Sequence, residues 1–221
     1  MNYTWNWDVI WRARWDFAGA LGLGLGMAVV ALAVGSVLGL VIAYGRISPR
    51  KWLSAPAYVY VEFFRNAPLL LLVFFVYFGL PELGIYFIEA IESFTLTLAL
   101  YAAGYMSEVF RTGLSSMPKQ YVEAAKAIGM RPWQRQRYVV LPLMFRITLP
   151  AISNNLISLF KDTSVATAIA VPELTFMARQ VNANSFRVME AWLTATLLYL
   201  LTAYAIALIL RAVERRMAMV R

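Results

Sequence analysis

The chain has 221 residues, 61% of them hydrophobic and 14% charged, with a mean hydropathy of +0.63 and a formal net charge of +8. That balance is too apolar for an ordinary water-soluble domain and places the chain in a lipid bilayer. Cysteine and histidine are both absent, which removes disulfides, thiol nucleophiles, imidazole bases and most transition-metal sites, so neither a metal centre nor an enzyme active site is expected. The basic residues alternate with apolar runs instead of forming one patch, so membrane topology explains the charge better than nucleic acid does.

A spanning helix needs about 20 apolar residues rising about 1.5 Å each. Trp5, Trp7, Trp11 and Trp15 precede the first such run, the last three at i,i+4 spacing, and read as an interfacial helix anchored by an aromatic belt. Asp8 and Asp16 beside Arg12 and Arg14, and the length of the run that follows, argue against a cleavable leader. The first span, 17–45, carries no charge and is expected to be retained. A second covers about 55–80, bears Glu62 and Arg65 at a spacing that lets them pair, and ends at Gly79-Leu80-Pro81. A third, about 93–114, has Glu108 and Arg111 near its end. A fourth, about 147–172, is interrupted by Lys161-Asp162, and 191–210 gives a clean fifth.

Five spans put the termini on opposite sides. The loops at 45–54 and 111–146 and the C-terminal tail are basic, whereas Glu82, Glu89 and Glu92 lack basic companions between spans two and three. The positive-inside rule then places the N-terminus outside and the C-terminus in the cytoplasm. The expected fold is an all-α polytopic membrane protein of five transmembrane helices, with residues 1–221 as one transmembrane domain without internal repeats.

The loop at 115–145 is too rich in helix formers to be unstructured. Residues 120–128 contain Glu123, Ala124, Ala125, Lys126 and Ala127; Gly129 supplies a C-cap or left-handed turn; Pro132 suits the first turn of a second short helix; Leu141-Pro142 reads as a stop. Two readings stay open. Ala124, Ala125 and Ile128, with Glu123 beside them, form a small face suited to a groove on a partner protein. Alternatively Arg131, Arg135 and Arg137 hold an amphipathic helix on the inner leaflet.

Charges inside spans are functional candidates because lipid makes them costly. Glu108 and Arg111 either pair with each other or serve the cargo. Lys161 and Asp162 fall at mid-depth and are expected to line a translocation route or a subunit interface.

Glu123-Ala124-Ala125, then Gly129, then Val139-Val140-Leu141-Pro142 resembles the signature loop of binding-protein-dependent ABC importer permeases, with both spacings kept. Glu62-Phe-Phe-Arg65-Asn66-Ala67-Pro68-Leu69, Tyr77-Phe78-Gly79-Leu80-Pro81, Glu108-Val-Phe-Arg111 and Lys161-Asp162-Thr163-Ser164 are similar to the polar amino-acid subfamily that carries histidine, glutamine and glutamate. The resemblance covers nearly all of the chain after the first span. It implies a coupling helix docked on a cytoplasmic ATPase dimer, with Glu123, Ala124, Ala125, Gly129, Leu141 and Pro142 carrying the contact. It also implies a second permease subunit, an extracytoplasmic substrate-binding protein, and the bacterial inner membrane as location.

No G-x-x-x-x-G-K-[ST] phosphate loop occurs, so ATP and Mg are expected on the partner ATPase and no cofactor in this chain. For a zwitterionic cargo the candidate contacts are Glu108, Asn154, Asn155, Lys161, Asp162 and Thr163. The Trp5-Asn6-Trp7 opening, Phe64-Arg65-Asn66 and Val213-Glu214-Arg215-Arg216 look most like glutamate and aspartate permeases. The competing class is an ion-gradient-driven secondary transporter or channel subunit, against which stand the missing inverted repeat and the folded loop.

Overall fold

A computed structural model describes residues 3–85 and 89–217, and every regular element among them is helical. In chain order these are α1 (Asp8–Arg12), α2 (Arg14–Arg46), α3 (Lys51–Asn66), α4 (Leu69–Phe74), a wide turn (Phe75–Gly79), α5 (Leu80–Glu82), α6 (Ala90–Ser115), α7 (Lys119–Ala127) and α8 (Pro132–Arg135). A second wide turn (Gln136–Val140), α9 (Leu141–Asp162), a 3₁₀ segment (Thr163–Ile169), α10 (Leu174–Ser185) and α11 (Val188–Met217) complete the chain.

Three helical stretches are long and apolar enough to cross a membrane: Arg14–Arg46, Pro132–Ile169 and Val188–Arg216. A fourth is the pair Lys51–Asn66 and Leu69–Glu82, bent by 106°. This corrects the second span, which is not one helix over 55–80. Ala67 precedes a proline and is pushed out of the helical region, and Pro68 has ψ 128 before its carbonyl restarts the helix by accepting from Leu71 and Leu72. The same device ends α6: Pro118 has ψ 125 and α7 begins at the next residue. The predicted third span lies within α6, which has the length but, with Glu92, Glu108, Arg111 and several hydroxyls, not the apolarity. Its buried stripe of Phe94, Leu98, Ala102, Met106 and Phe110 recurs every four residues, so α6 is a core helix. In contrast, only 6% of the apolar window of α11 is buried.

Leu141-Pro142 is not a stop, because helix continues from Pro132 through Ile169. The second stretch does end at Leu80-Pro81, its last helical residue being Glu82, one past Pro81. A helical proline lacks its N–H and presses on the carbonyl four residues back. Here each Leu-Pro pair follows a wide turn in which Leu80 donates to the Phe75 carbonyl and Leu141 to the Gln136 carbonyl, five residues back. The wider turn makes room where the proline ring would collide.

The chain forms two compact units. One comprises Met1–Ala33, Ala67–Ala99 and Leu156–Ile206. Its core packs Phe17 of α2 against Leu174, Ala178 and Val181 of α10 and Ala191 and Ala195 of α11. The segment before α1 is strapped to α11. Tyr3 donates its hydroxyl to Glu190, the Asn6 N–H meets Glu190 Oε1 at 2.8 Å, and Arg187 reaches the Thr4 carbonyl at 2.8 Å. The expected interfacial helix of tryptophans is reduced to the five residues of α1 plus the first turn of α2.

Helix α10 was not anticipated from the sequence. Its cap is Glu173, 0% exposed, whose carboxylate accepts from the Thr175 and Phe176 N–H groups at 2.8 Å each and from the Tyr199 hydroxyl at 2.7 Å. Burial holds this carboxyl above its ordinary range, against the smaller downward pull of its hydrogen-bond donors. Glu173→Ala orphans the two N–H groups and leaves the Tyr199 hydroxyl only Thr175 Oγ1 at 3.2 Å, so unfolding of the purified protein in detergent is expected to cost about 2–3 kcal/mol less, with Glu173→Gln recovering part of the loss. Equal thermal midpoints for Glu173→Ala and the parent would refute this account of the cap.

The other unit comprises Val34–Asn66, Leu100–Asn155 and Ala207–Arg221. Here α2 lies directly on α6: a Cβ on Gly39 would stand 2.7 Å from Met106 Cβ and 2.9 Å from the Ser107 nitrogen. Tyr60 donates to the Leu100 carbonyl at 2.7 Å, Tyr44 to Gln136 Oε1 at 2.9 Å, and Phe110 meets Phe145 edge-on at 5.5 Å. These contacts gather α2, α3, α9 and the second wide turn around α6.

Candidate functional site

Within this second unit a cavity of ≈ 320 Å³ opens beside α6, lined by Arg65, Tyr105, Glu108, Thr112, Thr148 and Asn155 among others. Glu108 is held firmly. The Arg111 Nε lies 3.1 Å from both carboxylate oxygens, its Nη2 also contacts Oε1, and Arg46 Nη1 stands 3.5 Å from Oε2. The two readings of Glu108 and Arg111 are thus not exclusive, since the carboxylate pairs with arginine and still faces the cavity.

Arg65 does not pair with Glu62. Glu62 instead receives the Asn66 amide at 3.1 Å, while the Arg65 guanidinium turns over the Tyr105 ring at 5.7 Å and lines the cavity. Among the described residues it has no carboxylate partner. Arg65 and Glu108 are the charged residues among those that line the cavity, and the Glu108 carboxylate is already matched by Arg111 and Arg46, which are not among the lining residues. An anionic oxygen group fits the Arg65 guanidinium, best as its bidentate partner. Asn155 spends its amide on the Ala151 carbonyl at 2.9 Å, leaving its Oδ1 as an acceptor.

The remaining candidates separate. Asn154 is exposed and does not line this cavity. Lys161, exposed, and Asp162, half-buried, sit where α9 gives way to the 3₁₀ segment and belong to the first unit. Thr163 is buried, with its hydroxyl on the Phe160 carbonyl at 2.6 Å and Gly24 against it, which is a packing position. Arg65 and Tyr105 were missed as a site. The available signal was the proline three residues beyond Arg65, which ends α3 and leaves a cation in its last turn.

The 115–145 loop folds as two short helices. Met130 donates to the Ala125 carbonyl at 3.0 Å and Gly129 to Lys126 at 2.9 Å, closing α7 with Gly129 at φ +78. Gln134 accepts from the Arg131 N–H at 2.8 Å and Pro132 opens α8. The expected docking face needs one correction. Ala125 is turned inward at 4% exposure, because its place on α7 faces the unit's interior; Glu123, Ala124 and Ile128 (78%) remain outside. Glu123 borders a ≈ 340 Å³ cavity with Lys119 and Lys126. Leu141 is half-buried and Pro142 exposed within the continuous helix.

Residues 35–219 match the family described as "Binding-protein-dependent transport system inner membrane component". The chain belongs to that family. Among curated relatives of this inner membrane component, the glutamine transport system permease protein GlnP of Escherichia coli (strain K12) is 33% identical over 213 residues, covering 96% of this chain and 97% of the relative. The probable amino-acid ABC transporter permease protein YckA of Bacillus subtilis (strain 168) is 36% identical over 179 residues, covering 81% and 79%. A crystal structure of an amino acid ABC transporter with histidines superposes with a TM-score of 0.88 at 27% identity, over 97% of this chain and all of that one.

Proposed function

We propose that this inner membrane component is the permease subunit of an ATP-driven importer of polar amino acids, with acidic amino acids as its preferred cargo. The observation that carries the acidic preference is that Glu108 is already paired with Arg111 and Arg46 while Arg65, which lines the same cavity, forms no salt bridge among the described residues. A glutamate or aspartate brings one more carboxylate than glutamine, and Arg65 receives it, with Glu108 and the Asn155 Oδ1 on the ammonium side. The names of the relatives support amino acids as the class. A five-span topology with the N-terminus outside is retained as part of the reading, with α6 as the third span, shielded from lipid by its neighbours.

The chain carries no phosphate loop, so energy comes from a cytoplasmic ATPase dimer that holds ATP and Mg. A second permease copy or a related chain completes the path, and an outer binding protein delivers the cargo. Helix α7 presents Glu123, Ala124 and Ile128 to the ATPase, and the Gly129 turn fixes their direction.

Uptake into proteoliposomes containing the permease, ATPase and binding protein tests the reading, with labelled glutamate competed by aspartate, glutamine and arginine. ATP-dependent glutamate uptake displaced best by aspartate is expected; uptake that ignores ATP would overturn the importer, and stronger competition by arginine would overturn the acidic preference. Glu123→Lys is expected to leave membrane insertion intact and cut uptake per ATP hydrolysed several-fold. Gly129→Val should act in the same direction. A Cβ there meets nothing within 4 Å, so its effect comes from forcing a β-branched residue to positive φ, about 1–2 kcal/mol. Normal coupling in both variants removes α7 from the drive train.

A further inference from the structure

The first unit holds a second cavity, ≈ 760 Å³, where α1, the start of α2 and α10 meet. Its lining includes Arg12, Trp15, Asp16, Met177, Gln180 and Asn184. The volume is within the roughly 300–1,000 Å³ of small-molecule sites, and the polar lining differs from that of a helix packing defect.

Its depth follows from the chain. From Phe17 to Gly45 helix α2 carries no charge, so Asp16 marks the polar end of that stretch. Trp11 and Trp15, 68% and 73% exposed, stand at the same level as an aromatic belt does at the boundary between headgroups and hydrocarbon. The cavity therefore opens among lipid headgroups.

Its charges come as a separated pair. Arg12 ends α1 and Asp16 lies in the first turn of α2, across the break at Ala13, and no ion pair joins them among the described residues. Both groups stay available, one cationic and one anionic, with the Gln180 and Asn184 amides beside them to bond neutral oxygens.

We propose that this cavity holds the headgroup of a zwitterionic aminophospholipid, with the phosphate on Arg12 and the ammonium on Asp16. A phosphate and an ammonium joined by a two-carbon linker bring one anionic and one cationic group to a cavity lined by one cation and one anion, so each finds a complementary partner. A phosphatidylglycerol headgroup satisfies Arg12 but leaves Asp16 facing a second anion's field. A choline headgroup offers Asp16 no N–H, and the aromatic faces that would hold its methyls are taken, since the Arg14 guanidinium lies 4.6 Å from the Trp11 ring and 5.6 Å from that of Trp15.

A free amino acid presents the same two charges, so the test separates the sources. The assembled importer is delipidated in mild detergent and examined by native mass spectrometry with phosphatidylethanolamine, phosphatidylglycerol or free glutamate added. Phosphatidylethanolamine is expected to be retained about fivefold over phosphatidylglycerol; Asp16→Asn removes that preference, Arg12→Gln lowers retention of both lipids, and Arg12→Lys restores it. Gly19→Leu, at a lining position whose Cβ meets nothing within 4 Å, fills the cavity without disturbing packing and displaces the lipid. Equal retention of the two lipids by the parent overturns the proposal, as does a lipid profile unchanged in all variants. Glutamate binding that is lost in Arg12→Gln while lipid retention persists also overturns it. A crosslinker placed at Asn184→Cys that captures the binding protein instead of lipid does the same.

Discussion

Replacing Arg65 by methionine is expected to lower glutamate uptake roughly 10- to 100-fold in the reconstituted importer, the loss of one charge-assisted hydrogen bond to a carboxylate. Methionine keeps the length and apolar stem of the side chain, so contact with Tyr105 survives and only the charge is lost. The effect should fall mainly on acidic substrates, with glutamine uptake reduced several-fold less, because glutamine offers Arg65 a neutral amide. Arg65→Lys restores part of the rate, since an ammonium cannot grip a carboxylate in two places. Glutamate uptake at the parental rate in Arg65→Met would remove Arg65 from the cargo site. An equal loss for glutamate and glutamine would assign it a structural role.

The second large effect is on folding. Gly39→Leu is expected to lower the thermal midpoint of the detergent-solubilised protein by about 6–12 °C, corresponding to about 3 kcal/mol of overpacking. The atoms in the way are largely those of the α6 backbone, the Ser107 nitrogen at 2.9 Å and the Ala103 carbonyl at 3.0 Å, which cannot rotate aside as a side chain would. Gly22→Ala is the matched control. A Cβ there meets nothing within 4 Å, and the gain in helix propensity predicts an unchanged or slightly higher midpoint. If both substitutions leave the midpoint unchanged, the close approach of α2 and α6 is not what secures this unit.

Much of the architecture was legible because membrane helices advertise themselves by composition. The first and last apolar runs fall within α2 and α11, and the helix formers around Glu123 with Gly129 after them become α7 and its turn. What escaped was set by local backbone chemistry acting against composition. Leu69 to Gly79 read as a continuation of one apolar span, yet Pro68 splits it, since the residue before a proline resists the helical region. Helix α10 was hidden because its sequence is polar and its cap, Glu173, derives its role from burial. At the cavity, spacing correctly joined Glu108 to Arg111 but wrongly joined Glu62 to Arg65. Both pairs are three residues apart, and only the neighbour on another helix, Tyr105, decides which arginine turns away. Spacing along one helix is blind to that choice.

The two wide turns have a consequence for reading such chains. Each inserts one residue into a helix that otherwise advances about 100° per residue, so the faces before and after it are out of phase by about that angle. Buried and lipid-facing positions of α9 therefore cannot be projected from α8, nor those after Gly79 from α4. A helical wheel drawn through either Leu-Pro pair mixes two rotational frames, and the amphipathic pattern regains meaning only when each side is indexed separately.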